Sequence, residues 1–270
     1  MRRDQLYIST MARDAGDTAR RYGIGVEIAE YCTAWNMDRE LETTKEVVAS
    51  EIMGVQNLTL HAPFNEVSPA AIDPLILEIT EKRYAQAVEL ALSYGARKVI
   101  VHTGYSGDWY FKEWFADSAI NFWRDFLDTH RGDYIIVFEN VFETDPYTMI
   151  DIAKGVNDSR FKLCIDVGHV NAAIGYSKDL PSTRVGEDIH RCRDVYQWIE
   201  ESAPYISHFH IHNNGGVMDT HNALYDGTID MPRLLRLIED KCDRDVTYTM
   251  EVHDGQDNVE WLMREGLLDD

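Results

Sequence analysis

Short apolar runs rich in β-branched and aromatic residues alternate along the chain with longer stretches of helical periodicity. The short runs predict strands at Leu6–Ser9, Ile24–Ile28, Leu58–His61, Lys98–His102, Tyr134–Glu139, Phe161–Asp166, Ile206–His212 and Val246–Val252. Helical patterns run over Pro74–Tyr94, Lys112–His130 and Met231–Lys241. In the first of these, Leu75, Ile79, Tyr84, Val88 and Ala91 fall near helical spacing. Asp73 ahead of Pro74 reads as an N-cap before a proline at the first helical position. The longest stretch without clear pattern, Ala172–Arg184, reads as an extended loop after the sixth strand.

Strand–helix repetition implies parallel pairing through right-handed crossovers. Eight such units in 270 residues, at about 34 residues each, favour a closed (β/α)8 barrel of the TIM type. A doubly wound open sheet would need an early phosphate-binding glycine loop, and Ser9-Thr10-Met11-Ala12 is not one. No linker-like stretch divides the chain, so residues 1–270 are expected to form a single α/β domain with its active site at the C-terminal mouth.

Seven of the ten histidines cluster near predicted strands: His61, His102, His208, His210, His212 and His253 lie on or at the end of one, and His169 lies three residues past one. Glu27, Glu139, Asp166 and Glu251 sit at C-terminal strand ends as well. Period-2 alternation sets their phase. Leu58 and Leu60 oppose His61, Val99 and Val101 oppose His102, and Ile136 and Phe138 share a face that Glu139 does not. Leu163 and Ile165 oppose Asp166, Phe209 and Ile211 oppose His208, His210 and His212, and Tyr248 and Met250 oppose Glu251. With the aliphatic face turned to the helices, imidazoles and carboxylates from six strands converge inside the barrel mouth. Uncompensated carboxylates there would be poorly solvated, and bound cations resolve this. Mixed imidazole and carboxylate ligands suit Zn²⁺, Mn²⁺, Fe²⁺ or Co²⁺ better than Mg²⁺ or Ca²⁺, with zinc the first choice. His208 is expected deeper and His212 further out than His210, so neither is assigned as a ligand, nor are His130, His190 and His253.

Charge narrows the function classes. With 26 Lys+Arg against 47 Asp+Glu, the formal net charge is −21. Such a chain lacks the basic footprint for holding DNA or an anionic membrane by surface electrostatics. Cys32, Cys164, Cys192 and Cys242 contain no CxxC, so they read as reduced thiols of a cytoplasmic protein. No apolar segment follows the first residues as in a secretory leader, and no run of about 18 apolar residues suggests a membrane span.

His61-Ala62-Pro63-Phe64, Val101-His102-Thr103-Gly104, Glu139-Asn140, Cys164-Ile165-Asp166-Val167-Gly168-His169, His210-Ile211-His212, Asp219-Thr220-His221 and Met250-Glu251 occur in this order. Any one fragment is common; the ordered set, about one per βα unit, is specific. From about Ile24 to Glu251 it resembles the xylose-isomerase-like TIM barrel superfamily, on its endonuclease IV branch (AP endonuclease family 2). The resemblance implies up to three metals. His61, His102 and Glu139 would hold the first. Glu139 would bridge to a second, completed by Asp166, His210 and Glu251. His169, Asp219 and His221 would hold the third. Relatives that isomerise sugars use one metal on a Glu, Asp, His, Glu set, here Glu139, Asp166, His210 and Glu251.

Departures from the DNA-cleaving pattern are clear. Its Gly-Glu-Gly reads Tyr225-Asp226-Gly227 here, and the loops Phe64-Asn65-Glu66-Val67 and Tyr105–Phe111 carry no positive charge. The expectation is therefore a metal-dependent enzyme for a small sugar or sugar-phosphate-like substrate. Phosphoester hydrolysis at a multinuclear site comes first. Sugar-phosphate isomerisation or epimerisation, with Glu139 and Glu251 exchanging a proton, is the alternative. Abasic-site DNA cleavage and metal-dependent sugar binding without turnover stand behind these. Lys178 and Arg184 are the candidate contacts for a substrate phosphate, Trp109 for a sugar face, and Glu27 for either the substrate or a buried position behind the ligands.

Overall fold

Strand and helix alternate throughout the computed structural model, which describes residues 1–107, 109–177 and 192–269. The strands are β1 (Leu6–Ser9), β2 (Gly25–Ile28), β3 (Leu58–His61), β4 (Lys98–His102), β5 (Ile135–Glu139), β6 (Phe161–Asp166), β7 (Ile206–Ile211) and β8 (Thr247–Met250). Among the described residues the helices are α1 (Ala15–Tyr22), α2 (Ala34–Asp38), α3 (Leu41–Ile52), α4 (Pro74–Tyr94), α5 (Lys112–Thr129), α6 (Tyr147–Val156), α7 (Val167–Ser177), α8 (Val195–Ser202), α9 (Met231–Lys241) and α10 (Gly255–Arg264). The strands pair in chain order into a closed barrel, every neighbour parallel, with β1 returning to β8 through Ile8 and Met250. This is the (β/α)8 barrel expected from the alternation. None of the described helices is long and apolar enough to cross a membrane.

Strand alternation divides the core in two. Val99, Val101, Ile136, Phe138, Leu163, Ile165, Phe209 and Ile211 face outward and merge with the helices in one apolar cluster. Ile100, Val137 and Cys164 face inward and form a separate small plug inside the barrel. Ile135 packs against this plug, and most of the other inward positions are polar. Near the N-terminal end Lys98 donates from Nζ to Ser207 O and Thr247 Oγ1, each at 2.7 Å. Burial lowers its pKa to about 8.

Two expectations are corrected. In α4 the buried face is Thr80, Tyr84, Ala87, Val88 and Ala91, whereas Leu75 and Ile79 are exposed. The five-residue step from Ile79 to Tyr84 rotates position by about 140°, which takes the first two off the stripe. The cap itself forms, with Asp73 Oδ1 accepting from Leu75 N at 2.9 Å. The second correction concerns Ala172–Arg184. Residues 172–177 belong to α7, which follows β6 without a loop; residues 178–184 lie outside the described residues. Val167, Val170, Ala172 and Ile174 are all buried, so α7 shows no polar face from which its period could be read. It also approaches its surroundings closely. A Cβ on Gly175 would lie 1.4 Å from Gly216 O, and one on Gly168 would lie 1.9 Å from His212 Cε1.

Candidate metal centre

Glu139 is the hub of the mouth. It ends β5, is 1% exposed, and is level with His102 across the β4–β5 ladder. Its Oε2 faces His61 Nε2 at 3.3 Å and His102 Nε2 at 3.4 Å. Its Oε1 faces His210 Nδ1 at 3.2 Å and His169 Nδ1 at 3.5 Å. His61 Nδ1 is 2.9 Å from Ala62 O. A carbonyl can only accept, so Nδ1 carries a proton and Nε2 is the nitrogen left to face Glu139. Glu139 Oε2 is buried and receives no hydrogen bond. A cation would satisfy an orphaned carboxylate oxygen that faces two imidazole nitrogens.

His210 presents its other nitrogen. Its Nδ1 lies 3.2 Å from Glu139 Oε1, 3.4 Å from Glu251 Oε1 and 3.8 Å from Asp166 Oδ2. Carboxylates from β5, β6 and the residue after β8 thus surround one ring nitrogen. Asp166 is held on both sides of its peptide: its N–H donates to Asn140 Oδ1 at 2.9 Å, and Asn140 Nδ2 donates to its carbonyl at 3.1 Å. Asp166 Oδ1 also accepts from the His169 N–H at 2.7 Å in the first turn of α7.

A second cluster sits beside the first. Asp219 Oδ2 faces His169 Nε2 at 3.2 Å and His221 Nε2 at 3.0 Å. Again each Nδ1 donates to a carbonyl, of Asn140 for His169 (2.9 Å) and of Glu251 for His221 (3.0 Å). The loop carrying Asp219 and His221 is pinned by an antiparallel bridge between Asn213 and Asn222. Asn213 Nδ2 donates to Leu224 O and Ile229 O across the base of that loop. Several groups, including His61–His102–Glu139 and His169–His212–Asp219–His221, bring their donor atoms within metal-chelating range.

The charges are strongly coupled. Burial opposes ionisation of Glu139, but His210 and His102 outweigh it and hold the carboxyl well below the usual range. Burial likewise opposes charge on His169, yet Asp166 and Asp219 raise it well above normal. His221 is raised to about 9, the Asp219 hydrogen bond overcoming burial. His102 goes the other way, to about 4, because burial outweighs Glu139. His208 also falls to about 4 through burial.

All nine residues expected as ligands are therefore neighbours in one array. His212, left outside the expected set, lies within it. Its Nε2 is 3.1 Å from Asp166 Oδ1 and 3.5 Å from Asp219 Oδ1, and its ring stacks on His221 at 4.0 Å. The period-2 phase it shares with His210 was the available signal; β7 ends one residue before it, but the chain keeps the same alternation. Phe64 was the other omission, stacked on His102 at 4.5 Å. Glu27, expected either against the substrate or in a buried position behind the ligands, is 0% exposed beneath His210, which matches the second of those expectations. Trp109 is 79% exposed on the loop after β4. Lys178 and Arg184 lie outside the described residues, as does His190. His130 pairs with Glu81, away from the array.

A family model described as xylose isomerase-like TIM barrel matches residues 18–267. An uncharacterized protein of Methanocaldococcus jannaschii is 23% identical over 196 residues, covering 68% of this chain and 60% of that protein. The chain thus spans less than two thirds of that curated relative's length. A solved D-tagatose 3-epimerase-like protein superposes with a TM-score of 0.70 at 18% identity, covering 97% of this chain and 96% of its own. A Thermus thermophilus protein soaked with ZnCl2 superposes with a TM-score of 0.71 at 17% identity, covering 97% of each chain.

Proposed function

The chain belongs to the xylose isomerase-like TIM barrel family, and from that premise we propose that it is a divalent-metal-dependent isomerase or epimerase of a small sugar or sugar phosphate. This reading takes residues 1–270 as one barrel domain. The observation that carries it is the convergence of Glu139, Asp166 and Glu251 on His210 Nδ1. These four residues would hold the cation. Zinc is the first choice and Mn²⁺, Fe²⁺ or Co²⁺ are alternates. The ZnCl2-soaked structural neighbour supports the choice of zinc, and the epimerase-like neighbour supports a sugar substrate.

When bound, the cation polarises a sugar carbonyl and its neighbouring hydroxyl, making the adjoining C–H more acidic. Glu139 and Glu251 enter the mouth from two strands that are not neighbours in the barrel. One carboxylate takes the proton from the carbon beside the carbonyl, and the other returns a proton to the opposite face. That exchange inverts the carbon. Return at the adjacent carbon instead interconverts ketose and aldose. Glu139 is held ionised, the state a base requires. Phe64 over His102 supplies an apolar wall at the rim. The net charge of −21 favours a small substrate over a long polyanion.

Incubation of zinc- or manganese-loaded protein in D2O with a panel of ketoses and ketose phosphates tests this reading. Deuterium should enter at the carbon beside the carbonyl, and Glu139→Gln and Glu251→Gln should each abolish the exchange. Phosphoester hydrolysis is the second reading, favoured by the cluster of His169, Asp219 and His221, which a mononuclear isomerase does not require. Phosphate release from sugar phosphoesters without deuterium uptake would select it.

A further inference from the structure

His210 differs from its neighbours in the nitrogen it presents. His61, His169 and His221 each commit Nδ1 to a backbone carbonyl and turn Nε2 toward a carboxylate. His210 turns Nδ1 to the carboxylates, so its Nε2 points back into the barrel interior. There the facing atom is Glu27 Oε1, at 3.2 Å. Both atoms are buried, and neither has a hydrogen bond to any other group.

Glu27 is prepared to receive that ring. Its Oε2 accepts from Thr59 Oγ1 at 3.1 Å and from Thr249 Oγ1 at 2.8 Å, which fixes the carboxyl plane and leaves Oε1 free. A single chain of donors leads to it from the barrel floor. Lys98 Nζ donates to Thr247 Oγ1 at 2.7 Å, and that hydroxyl also lies 2.6 Å from His208 Nδ1 and 3.5 Å from Ser207 O. His208 Nε2 lies 3.0 Å from Thr249 Oγ1 and 3.4 Å from Glu27 Oε2, and Thr249 donates its own proton to Glu27. The only acceptor capacity left over is Oε1, beneath His210.

We infer that Glu27 is a positioning residue for the metal centre: it accepts the Nε2–H of His210 and holds that ring in the tautomer whose Nδ1 lone pair faces Glu139, Asp166 and Glu251. The inference rests on His210 being a ligand, as proposed above. Carboxylates placed behind metal-bound imidazoles act in this way, fixing tautomer and orientation and raising ligand basicity. Here one carboxylate would serve the single site histidine that binds through the opposite nitrogen.

Two readouts independent of turnover test it on the full chain. In zinc-loaded protein labelled with ¹⁵N-histidine, long-range ¹H–¹⁵N spectra should show one metal-bound ring protonated at Nε2, and that signal should vanish in His210→Gln. Glu27→Gln should weaken zinc binding roughly 10–100-fold in competition with a chromophoric chelator, with the far-UV circular dichroism unchanged. A wild-type His210 protonated at Nδ1, or a folded Glu27→Gln that binds zinc as tightly as wild type, overturns the inference. If Glu27→Gln does not fold, the wild-type tautomer decides alone. Zinc affinity unaffected by His210→Gln would instead overturn the metal reading of this site, and the inference with it.

Discussion

Glu139→Gln perturbs the mouth at its hub. The substitution keeps shape and removes one charge, but that charge is shared: Oε2 serves His61 and His102, and Oε1 serves His169 and His210. Removing an outer-shell partner typically weakens metal binding 10–100-fold, so losing a bridging ligand should cost at least about 100-fold. For a chain of 270 residues the entropy of unfolding is roughly 0.6 kcal/mol/K. A cation at about 100 times its Kd stabilises the fold by about 2.7 kcal/mol, which raises Tm by about 5 °C. At the same concentration a site weakened about 100-fold gains only about 0.4 kcal/mol, a rise of under about 1 °C. The measurement is the difference in Tm between zinc-loaded and chelator-treated protein, for wild type and variant. Absolute Tm values are the wrong comparison. In the metal-free protein His169 and His210 are raised well above their usual pKa with Glu139 among the causes, so the substitution also changes the stability of the metal-free protein. A variant that keeps the full loading shift of about 5 °C refutes the assignment of Glu139 as a metal ligand.

Three further outcomes are expected. Gly168→Ala drives a Cβ to 1.9 Å from His212, a ring with 0% exposure, and should cost about 1–3 kcal/mol in urea denaturation; an unchanged midpoint would show that the ring yields freely. In metal-free protein His221 has a pKa raised from 6.5 to about 9. Its stabilisation is therefore complete below pH 6.5 and lost as pH rises through about 9, so denaturant stability in chelator should fall across that window, and Asp219→Asn should flatten the fall. Trp123→Ala empties a fully buried site between Tyr84, Phe138 and Phe161 and should cost about 3–5 kcal/mol, yet leave the zinc-loading shift in Tm intact; a lost shift would mean that the outer core and the mouth are coupled.

The strands were readable because each has the two-sided pattern of a parallel barrel stave. In β4 and β5, Val99, Val101, Ile136 and Phe138 meet the helices while His102 and Glu139 point inward, and phase alone separates the two sets. The same phase brought the site's strand residues together in advance. It failed where structure does not follow a simple period. In α7 the buried positions Val167, Val170, Ala172 and Ile174 do not fall on one stripe, so the helix carries no clear amphipathic signal. In α4 spacing was counted by eye across a five-residue step that changes face. His212 was set aside for lying past the strand end, although chain geometry keeps it in phase and Gly168 leaves room for its ring.

Alternation by itself determined the closed (β/α)8 barrel, the inward face and the ordered ligand-type residues, because those depend on local period and on hydrophobic burial. Which atoms meet was decided only by the tertiary structure. Ring orientation follows from acceptors distant in sequence: Asn140 O for His169, Glu251 O for His221, and Glu27 Oε1 facing His210 Nε2. A sequence specifies that an imidazole points inward; the surrounding hydrogen-bond acceptors specify which nitrogen it offers, and that choice governs what the mouth can bind.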